Sequence, residues 1–238
     1  MEKILSKVNM PAKQLFSSVT SSHKTKAIQM LISHSTPCPD YFMMMVLAIL
    51  MATFGLLVNN IPIVIGSMLI TPVLYPVLSL AMGVAISDQK LMARSLFTLT
   101  KSVIYAIIAA AVVTLLFKTQ FQDVSIDVIN SQARPSLIYA AVAIVAGLAA
   151  SFALSKPELN ETLPGVAIAV ALFPPLAATG IGIGIWNWDL ISGAFLLFLI
   201  NVLGVLFASM VIFSIMNFYV KRGEIDKEVE KKDKAIEK

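Results

Sequence analysis

Two apolar stretches, at 41–58 and 61–87, each run for the width of a lipid bilayer without a charged residue. About 20 apolar residues in a helix cross a hydrocarbon core of roughly 30 Å. Only 13% of the residues are charged, whereas soluble domains carry about 25%. The stretches also lack the alternation of apolar and polar residues that a membrane β-barrel needs. The sequence therefore predicts an all-α, polytopic transmembrane helix bundle.

The charged residues divide the apolar sequence into about six predicted spans. These are 41–58, 62–87, 91–117, 136–155, 163–187 and 190–220. With both termini in the cytoplasm, the inside segments hold 15 lysines and arginines and the outside segments hold two. This asymmetry is the one that the positive-inside rule requires. A re-entrant hairpin at 62–87 would move Lys90 and Arg94 outside, so six full spans fit better.

The predicted organisation has five segments in the plasma membrane of a prokaryote. They are a cytoplasmic N-terminal segment (1–40), a first three-span repeat (41–117), an extracytoplasmic loop (118–135), a second three-span repeat (136–220) and a cytoplasmic charged tail (221–238). Within the first segment, residues 24–32 combine two lysines with large apolar residues. That composition is typical of a helix that lies at the membrane interface.

Several residues recur at a nearly constant spacing in the two repeats. The pairs are Pro62 with Pro164 and Pro72 with Pro174, 102 residues apart, and Gly83 with Gly184 and Asp88 with Asp189, 101 residues apart. An odd number of spans in each repeat means that the second copy enters the membrane in the opposite orientation. Inverted repeats of this kind are found in many secondary transporters.

The prolines predict that the second and fifth spans are broken helices. Asn60 and Thr162 are suitable helix N-caps ahead of Pro62 and Pro164; Asp88 and Asp189 can cap the helices that follow. Pro72 and Pro174 lie ten residues deeper, which is about 15 Å along a helix and close to the bilayer midplane. Proline in a helix interior removes a hydrogen bond and clashes with the preceding turn. Prolines that only kink well-packed helices are the alternative.

A substrate site between the two broken helices would use hydroxyls, an amide, backbone groups and one lysine. The candidate substrate-binding residues are Ser67, Thr71, Pro72, Tyr75, Pro174, Pro175, Thr179, Asn201 and Lys101, and Ser79 is a further polar residue near the first break. Thr71 and Tyr75 are four residues apart, so a continuous helix would place them on one face. Aspartate, glutamate and histidine are absent from the predicted spans, which disfavours a proton relay through carboxylates.

Two of these candidates have strong structural alternatives. Lys101 lies within the third span, and a charge inside the membrane suggests a functional role. Its side chain could instead reach back to the cytoplasmic interface. Asn201 in the last span, at the repeat equivalent of Thr100, could bind substrate or form an interhelical hydrogen bond.

Parts of the sequence resemble a known family. The strings NNIPIVIGSMLITPVLYPVLSLAMGVAISD (59–88) and ARPSLIYAAVAIVAGLAASFALSKPELNETLPGVAIAVALFPPLAATGIGIG (133–184) are similar to the domain of unknown function 389 family of bacterial and archaeal membrane proteins. The resemblance covers about residues 42–215, and PGVAIAVALFPPLA is its most specific part. It implies an integral membrane protein with an all-helical domain, and it implies no activity.

Two functions compete on these observations. The first is a transporter or channel-like carrier of a small polar solute or ion, with a midplane site between the broken helices. The second is a non-transporting membrane scaffold or sensor subunit that binds a partner through its basic termini. An enzyme is not expected, because the spans carry no histidine pair, paired carboxylates or thiol. We expect no cofactor, no metal site and no nucleic-acid partner; the partners are the lipid bilayer, the solute or ion and, as an open alternative, further copies of the chain.

Overall fold

The computed structural model describes residues 21–117, 135–156 and 172–218, together with Ile129, Leu159 and Leu163. Eight helices can be followed in these residues: α1 (Ser21–His34), α2 (Pro39–Leu57), α3 (Ile61–Ile70), α4 (Leu74–Ile86), α5 (Gln89–Phe117), α6 (Leu137–Ser155), α7 (Phe173–Ile185) and α8 (Trp188–Ile215). The tail at 221–238, nearly all of the loop at 118–135, and Thr162 and Pro164 lie outside the described residues. The all-helical fold class is confirmed.

Five of the predicted spans correspond to apolar helical segments of sufficient length. α2, α5, α6 and α8 are each long and apolar enough to cross a membrane, and α3 with α4 forms a fifth such segment that bends by 50°. α7 has 13 residues, about 20 Å at 1.5 Å per residue, and cannot span a bilayer alone. By length and composition, these are the helices of a membrane protein.

Side-chain caps start four of the described helices; at α6 the side chain of Ser136 accepts from Ile138 N–H (3.3 Å). The side chain of Asn60 accepts from the N–H of Ile63 at the start of α3, and that of Asp88 accepts from Leu91 N–H at the start of α5 (3.0 Å), as predicted. α8 is capped by Asn187, whose Oδ1 accepts from Leu190 N–H (3.1 Å). The expectation that Asp189 caps α8 is therefore wrong. Asp189 lies in the first turn, where a negative charge still favours the helix N-terminus.

α4 and α7 share one backbone plan. They begin 99 residues apart, at Leu74 and Phe173, and both have 13 residues. Each ends at a left-handed residue, Ser87 (φ 57°) or Trp186 (φ 60°). The next N–H then closes the helix end: Asp88 donates to Gly83 O and Asn187 to Gly182 O, both at 2.9 Å.

The predicted pairing of residues at spacings of 101 and 102 is therefore wrong where it can be tested. By helix position Gly83 corresponds to Gly182 rather than to Gly184, and Asp88 to Asn187 rather than to Asp189. Pro72 precedes α4, whereas Pro174 lies inside α7, so these two do not correspond either. The prediction matched residue identities, but a left-handed residue and a cap can each be supplied by different residue types.

The longer helices repeat the same pattern of burial. α2 and α6 both have 19 residues, and their buried positions match at a spacing of 98: Met45 with Ala143, Ala48 with Ala146, Ala52 with Ala150, Thr53 with Ser151 and Leu56 with Leu154. The buried positions of α5 and α8 match at a spacing of 99 residues: Leu91 with Leu190, Ser95 with Ala194, Thr98 with Leu197, Ser102 with Asn201 and Ala106 with Val205. Each helix thus turns the equivalent face towards the protein interior.

The short helices cross between the two halves of the chain. α4 packs against α5, which follows it, and against α8; α7 packs against α8, which follows it, and against α5. The α5–α7 contact is close because Gly180 lies against Ile107 and Ala110, and Gly184 lies against Thr114. Small residues allow this approach between membrane helices. The core is therefore shared by the two halves rather than divided between them.

Candidate functional site at the break in the second span

The second predicted span is interrupted between Ile70 and Leu74. Thr71 has an extended backbone (φ −73°, ψ 131°) and ends α3, and α4 starts three residues later. The cause is local, because the ring of Pro72 disfavours helical geometry in the residue before it. Tyr75 N–H donates to Pro72 O (3.2 Å), which starts the new helix. The predicted break at Pro72 is confirmed.

The hydroxyl of Thr71 is buried at this break and has no hydrogen-bond partner among the residues that the structure describes. Leaving a buried hydroxyl unsatisfied costs about 1–3 kcal/mol. The aliphatic hydroxyls of two other candidates bond to their own helices: Ser67 Oγ donates to Val64 O (2.6 Å), and Thr179 Oγ1 donates to Pro175 O (2.8 Å). Thr71 therefore offers a donor and an acceptor that the described protein leaves unused.

The end of α3 adds backbone acceptors beside Thr71. The last carbonyls of a helix have no partner inside that helix unless a following N–H closes the turn. The Asp88 N–H does this for α4, but within the described ranges no backbone N–H closes the end of α3 at Thr71. Helix C-termini carry partial negative charge. The break can therefore accept a cation or a hydrogen-bond donor.

Tyr75 does not share a helix face with Thr71, so that expectation is wrong. Thr71 lies outside α4, and Tyr75 is the second residue of that helix. The tyrosine ring is half-buried and stacks on the imidazole of His34, with centroids 4.6 Å apart and 25° between the planes. Tyr75 thus faces the end of α1.

Three candidates from the second half lie in or near the first turns of α7. Pro174 and Pro175 are its second and third residues, and Thr179 follows one turn later; all three are buried. Proline suits such positions because the first N–H groups of a helix have no intrahelical partner. α7 contacts α3, but no hydrogen bond joins Thr179 to Ser67 or Thr71 among the described residues. The segment at 164–171, which would complete the fifth span, lies outside the described residues.

Asn201 is buried near the middle of α8. Its equivalent by helix position is Ser102 rather than the predicted Thr100. Ser102 Oγ donates to Thr98 O (2.7 Å) and lies 3.1 Å from Tyr41 Oη. Polar side chains therefore occupy matching interior positions on the two longest helices.

Lys101 lies against aromatic rings. Its Nζ is 5.0 Å from the centroid of Phe97 and 5.6 Å from that of Phe42. Phe97, Ile104 and Tyr105 beside it on α5 are exposed. An ammonium over an aromatic face is favourable by about 0.5–1 kcal/mol at exposed sites. This position favours the anchoring alternative for Lys101 over a role between α3 and α7.

Sequence reasoning singled out Ser79 but missed the hydroxyl chain around it. Ser35 and Ser95 both donate to Ser79 Oγ, at 3.3 Å and 2.9 Å, and all three residues are buried. Beyond them, Arg94 Nη2 donates to Thr36 Oγ1 at 2.8 Å. The helical spacing of small polar residues in the third span, at Ser95, Thr98 and Ser102, was a usable signal. Ser35 had no comparable signal, because its partner comes from a tertiary contact.

Comparisons with known proteins identify the family of the chain. Residues 68–207 match the profile of a family described as a domain of unknown function (DUF389). A relative from Methanocaldococcus jannaschii, named uncharacterized protein MJ0678, is 30% identical over 177 residues, which are 74% of this chain and 53% of the relative. The chain thus spans about half the length of the curated relative it matches. No solved structure matches the chain. Because the family profile covers more than half of the sequence, the chain belongs to the domain of unknown function 389 family.

Proposed function

We propose that the protein is a carrier of a small polar solute or ion, with its site at the break between α3 and α4. The observation that carries the proposal is the buried hydroxyl of Thr71, which has no partner within the described part of the chain and lies at an interruption inside an apolar span. Irregular backbone at membrane depth is tolerated only where protein buries it or a wet cavity lies beside it. A packed structural kink would be expected to satisfy its own hydroxyl.

The proposed architecture is six spans in two inverted three-span repeats. It is supported by the matching burial of α2 with α6 and of α5 with α8, and by the common plan of α4 and α7. An odd number of spans per repeat gives the two copies opposite orientations, as in many secondary transporters. Both termini then lie on one side, and the distribution of lysine and arginine puts that side in the cytoplasm of a prokaryote.

The chemistry of the break favours a cation or a solute with N–H or O–H groups. Thr71 supplies a hydroxyl, and the end of α3 supplies carbonyl oxygens and the negative end of a helix dipole. The candidate residues at the break, Ser67, Thr71, Pro72 and Tyr75, carry no carboxylate. Binding through such neutral groups is weak enough for release, which a carrier requires.

A reconstitution experiment tests the proposal. The purified chain in liposomes is screened for flux of monovalent cations, anions and neutral polar solutes, alongside a Pro72→Ala variant. We expect saturable flux of a cation or hydrogen-bonding solute that Pro72→Ala reduces, because a continuous helix would withdraw the carbonyls and Thr71 from the site. Flux of no solute, or flux unaffected by Pro72→Ala, would refute the proposed site and favour a scaffold or sensor subunit.

A further inference from the structure

The N-terminal helix α1 contacts both halves of the chain. Its residues Ala27, Ile28, Leu31 and Ile32 are at most 3% exposed. They form the buried face of a helix that contacts α4 from the first half and α6 from the second. The apolar face that suggested an interfacial helix is therefore covered by protein.

Both ends of α1 are attached to the bundle. At the start, Lys24 Nζ donates to Asn217 O (3.2 Å) just beyond the end of α8, and it lies 5.7 Å from the Phe218 ring centroid. At the end, the imidazole of His34 stacks on Tyr75, four residues after Thr71. The helix therefore extends from the end of α8 to the edge of the break.

Polar contacts continue past the end of the helix. Ser35 donates to Ser79 on α4, and Arg94 on α5 donates to Thr36. We call α1 with Ser35 and Thr36 the N-terminal strap. It joins α4, α5, α6 and the end of α8, so a shift of α4 relative to the second half would disturb these contacts.

We propose that the N-terminal strap is a lock: it holds α4 against the second half of the chain, and its release opens the break to water. This inference rests on the proposed function, because it assigns the regulation of the same site. Elements that move in such transitions come from the less stable parts of a protein, which have few buried apolar contacts. The strap fits this description, because one helical face and the polar contacts named above hold it.

The lock has a test that needs no transport. Cys38 is the single cysteine, so Cys38→Ser with Ser79→Cys places one thiol at a fully buried position beneath Ser35. The rate at which this thiol reacts with a water-soluble maleimide is measured in that protein and again after adding either Ile28→Glu or Gln29→Glu. Ile28 is 1% exposed and Gln29 is exposed on the opposite face, so the two variants add the same charge to adjacent positions. We expect Ile28→Glu to speed labelling about tenfold or more, and Gln29→Glu to leave it unchanged.

A cross-link tests the lock through flux. Ser35→Cys with Ser79→Cys replaces hydroxyls 3.3 Å apart, close enough for a disulfide that fixes the strap to α4. Ser79→Cys with Ser95→Cys, at 2.9 Å, is the matched control, because it links α4 to α5 without the strap. Both are made with Cys38→Ser. Oxidation should reduce flux about tenfold or more only in the first pair, and a reductant should restore it.

The outcomes separate the lock from the carrier. Equal labelling in the Ile28→Glu and Gln29→Glu proteins would overturn the lock whether or not the chain transports. Oxidation that affects both disulfide pairs alike, or neither, in a protein with measurable flux would also overturn it. Flux absent from every protein, including the unsubstituted chain, would refute the carrier, and the labelling comparison would still decide whether the strap closes over Ser79. The disulfide pair decides the question if Ile28→Glu does not fold.

Discussion

Pro76 and Pro175 are both the third residue of a 13-residue helix, and they lie 99 residues apart. Each proline sits in a first turn, where its missing N–H costs no helical hydrogen bond. Both helices begin after a residue of helical geometry, Val73 or Leu172, and end at a left-handed residue. The two short helices therefore share a start, a length and an end.

The corrected cap of α8 gives a first prediction. Asn187→Ala removes the oxygen that accepts from Leu190 N–H and should lower stability by about 1 kcal/mol. Asp189→Ala removes only a charge from the first turn, so its effect should be about half as large or less. The unfolding temperatures of the two purified variants in detergent measure these losses of stability. A larger loss of stability in Asp189→Ala than in Asn187→Ala would show that Asp189 is the cap.

Close packing between α5 and α7 gives a second prediction. A Cβ added at Gly180 would clash with Ala110 and lie 2.8 Å from Ile107 O. Gly180→Ala should therefore destabilise the protein by about 1–3 kcal/mol through overpacking, despite the higher helix propensity of alanine. Gly66→Ala is the matched control, because the nearest atom in the described part of the chain is Met51 Cε at 3.8 Å. Unfolding temperatures should fall for Gly180→Ala and stay level or rise for Gly66→Ala; equal shifts would contradict the packing.

The proposed orientation gives a third prediction. Lys90 and Asp189 are both exposed, each close to the start of a long helix. Inverted repeats place Lys90 in the cytoplasm and Asp189 outside. In intact cells of the Cys38→Ser protein, a membrane-impermeant thiol reagent should label Asp189→Cys at once and Lys90→Cys only after permeabilisation. Labelling of both positions from the same side would exclude the inverted arrangement.

The sequence predicted those parts of the fold that depend on local chemistry. Asn60 and Pro62 start α3, Pro72 ends its helical geometry, and Asp88 starts α5, because caps and prolines act within a few residues. Four long apolar segments were also found at nearly the correct bounds, since burial in lipid requires uniform apolar composition.

What could not be predicted depends on tertiary contacts or on interchangeable residue types. The correspondence of Ser87 with Trp186 is one of backbone conformation, not of side chain. Thr71 and Tyr75 were expected on one face because the exact end of α3 could not be placed. The partners of His34 and Ser35 are far away in sequence, so the packing of α1 on the bundle had no local signal.

The comparison of Thr71→Val with Thr53→Val in liposomes tests the proposed carrier most directly. Both changes replace a hydroxyl by a methyl group of similar shape, but Thr71 Oγ1 is buried without a partner among the described residues, whereas Thr53 Oγ1 donates to Ile49 O (2.7 Å). Removing the Thr71 hydroxyl should not lower stability, and Thr53→Val loses one hydrogen bond worth about 0.5–1.5 kcal/mol, so both proteins should fold. We expect Thr71→Val to reduce flux about tenfold, the size of one lost hydrogen bond to a bound solute, and Thr53→Val to stay within about twofold. Undiminished flux in a folded Thr71→Val protein would contradict the proposed carrier.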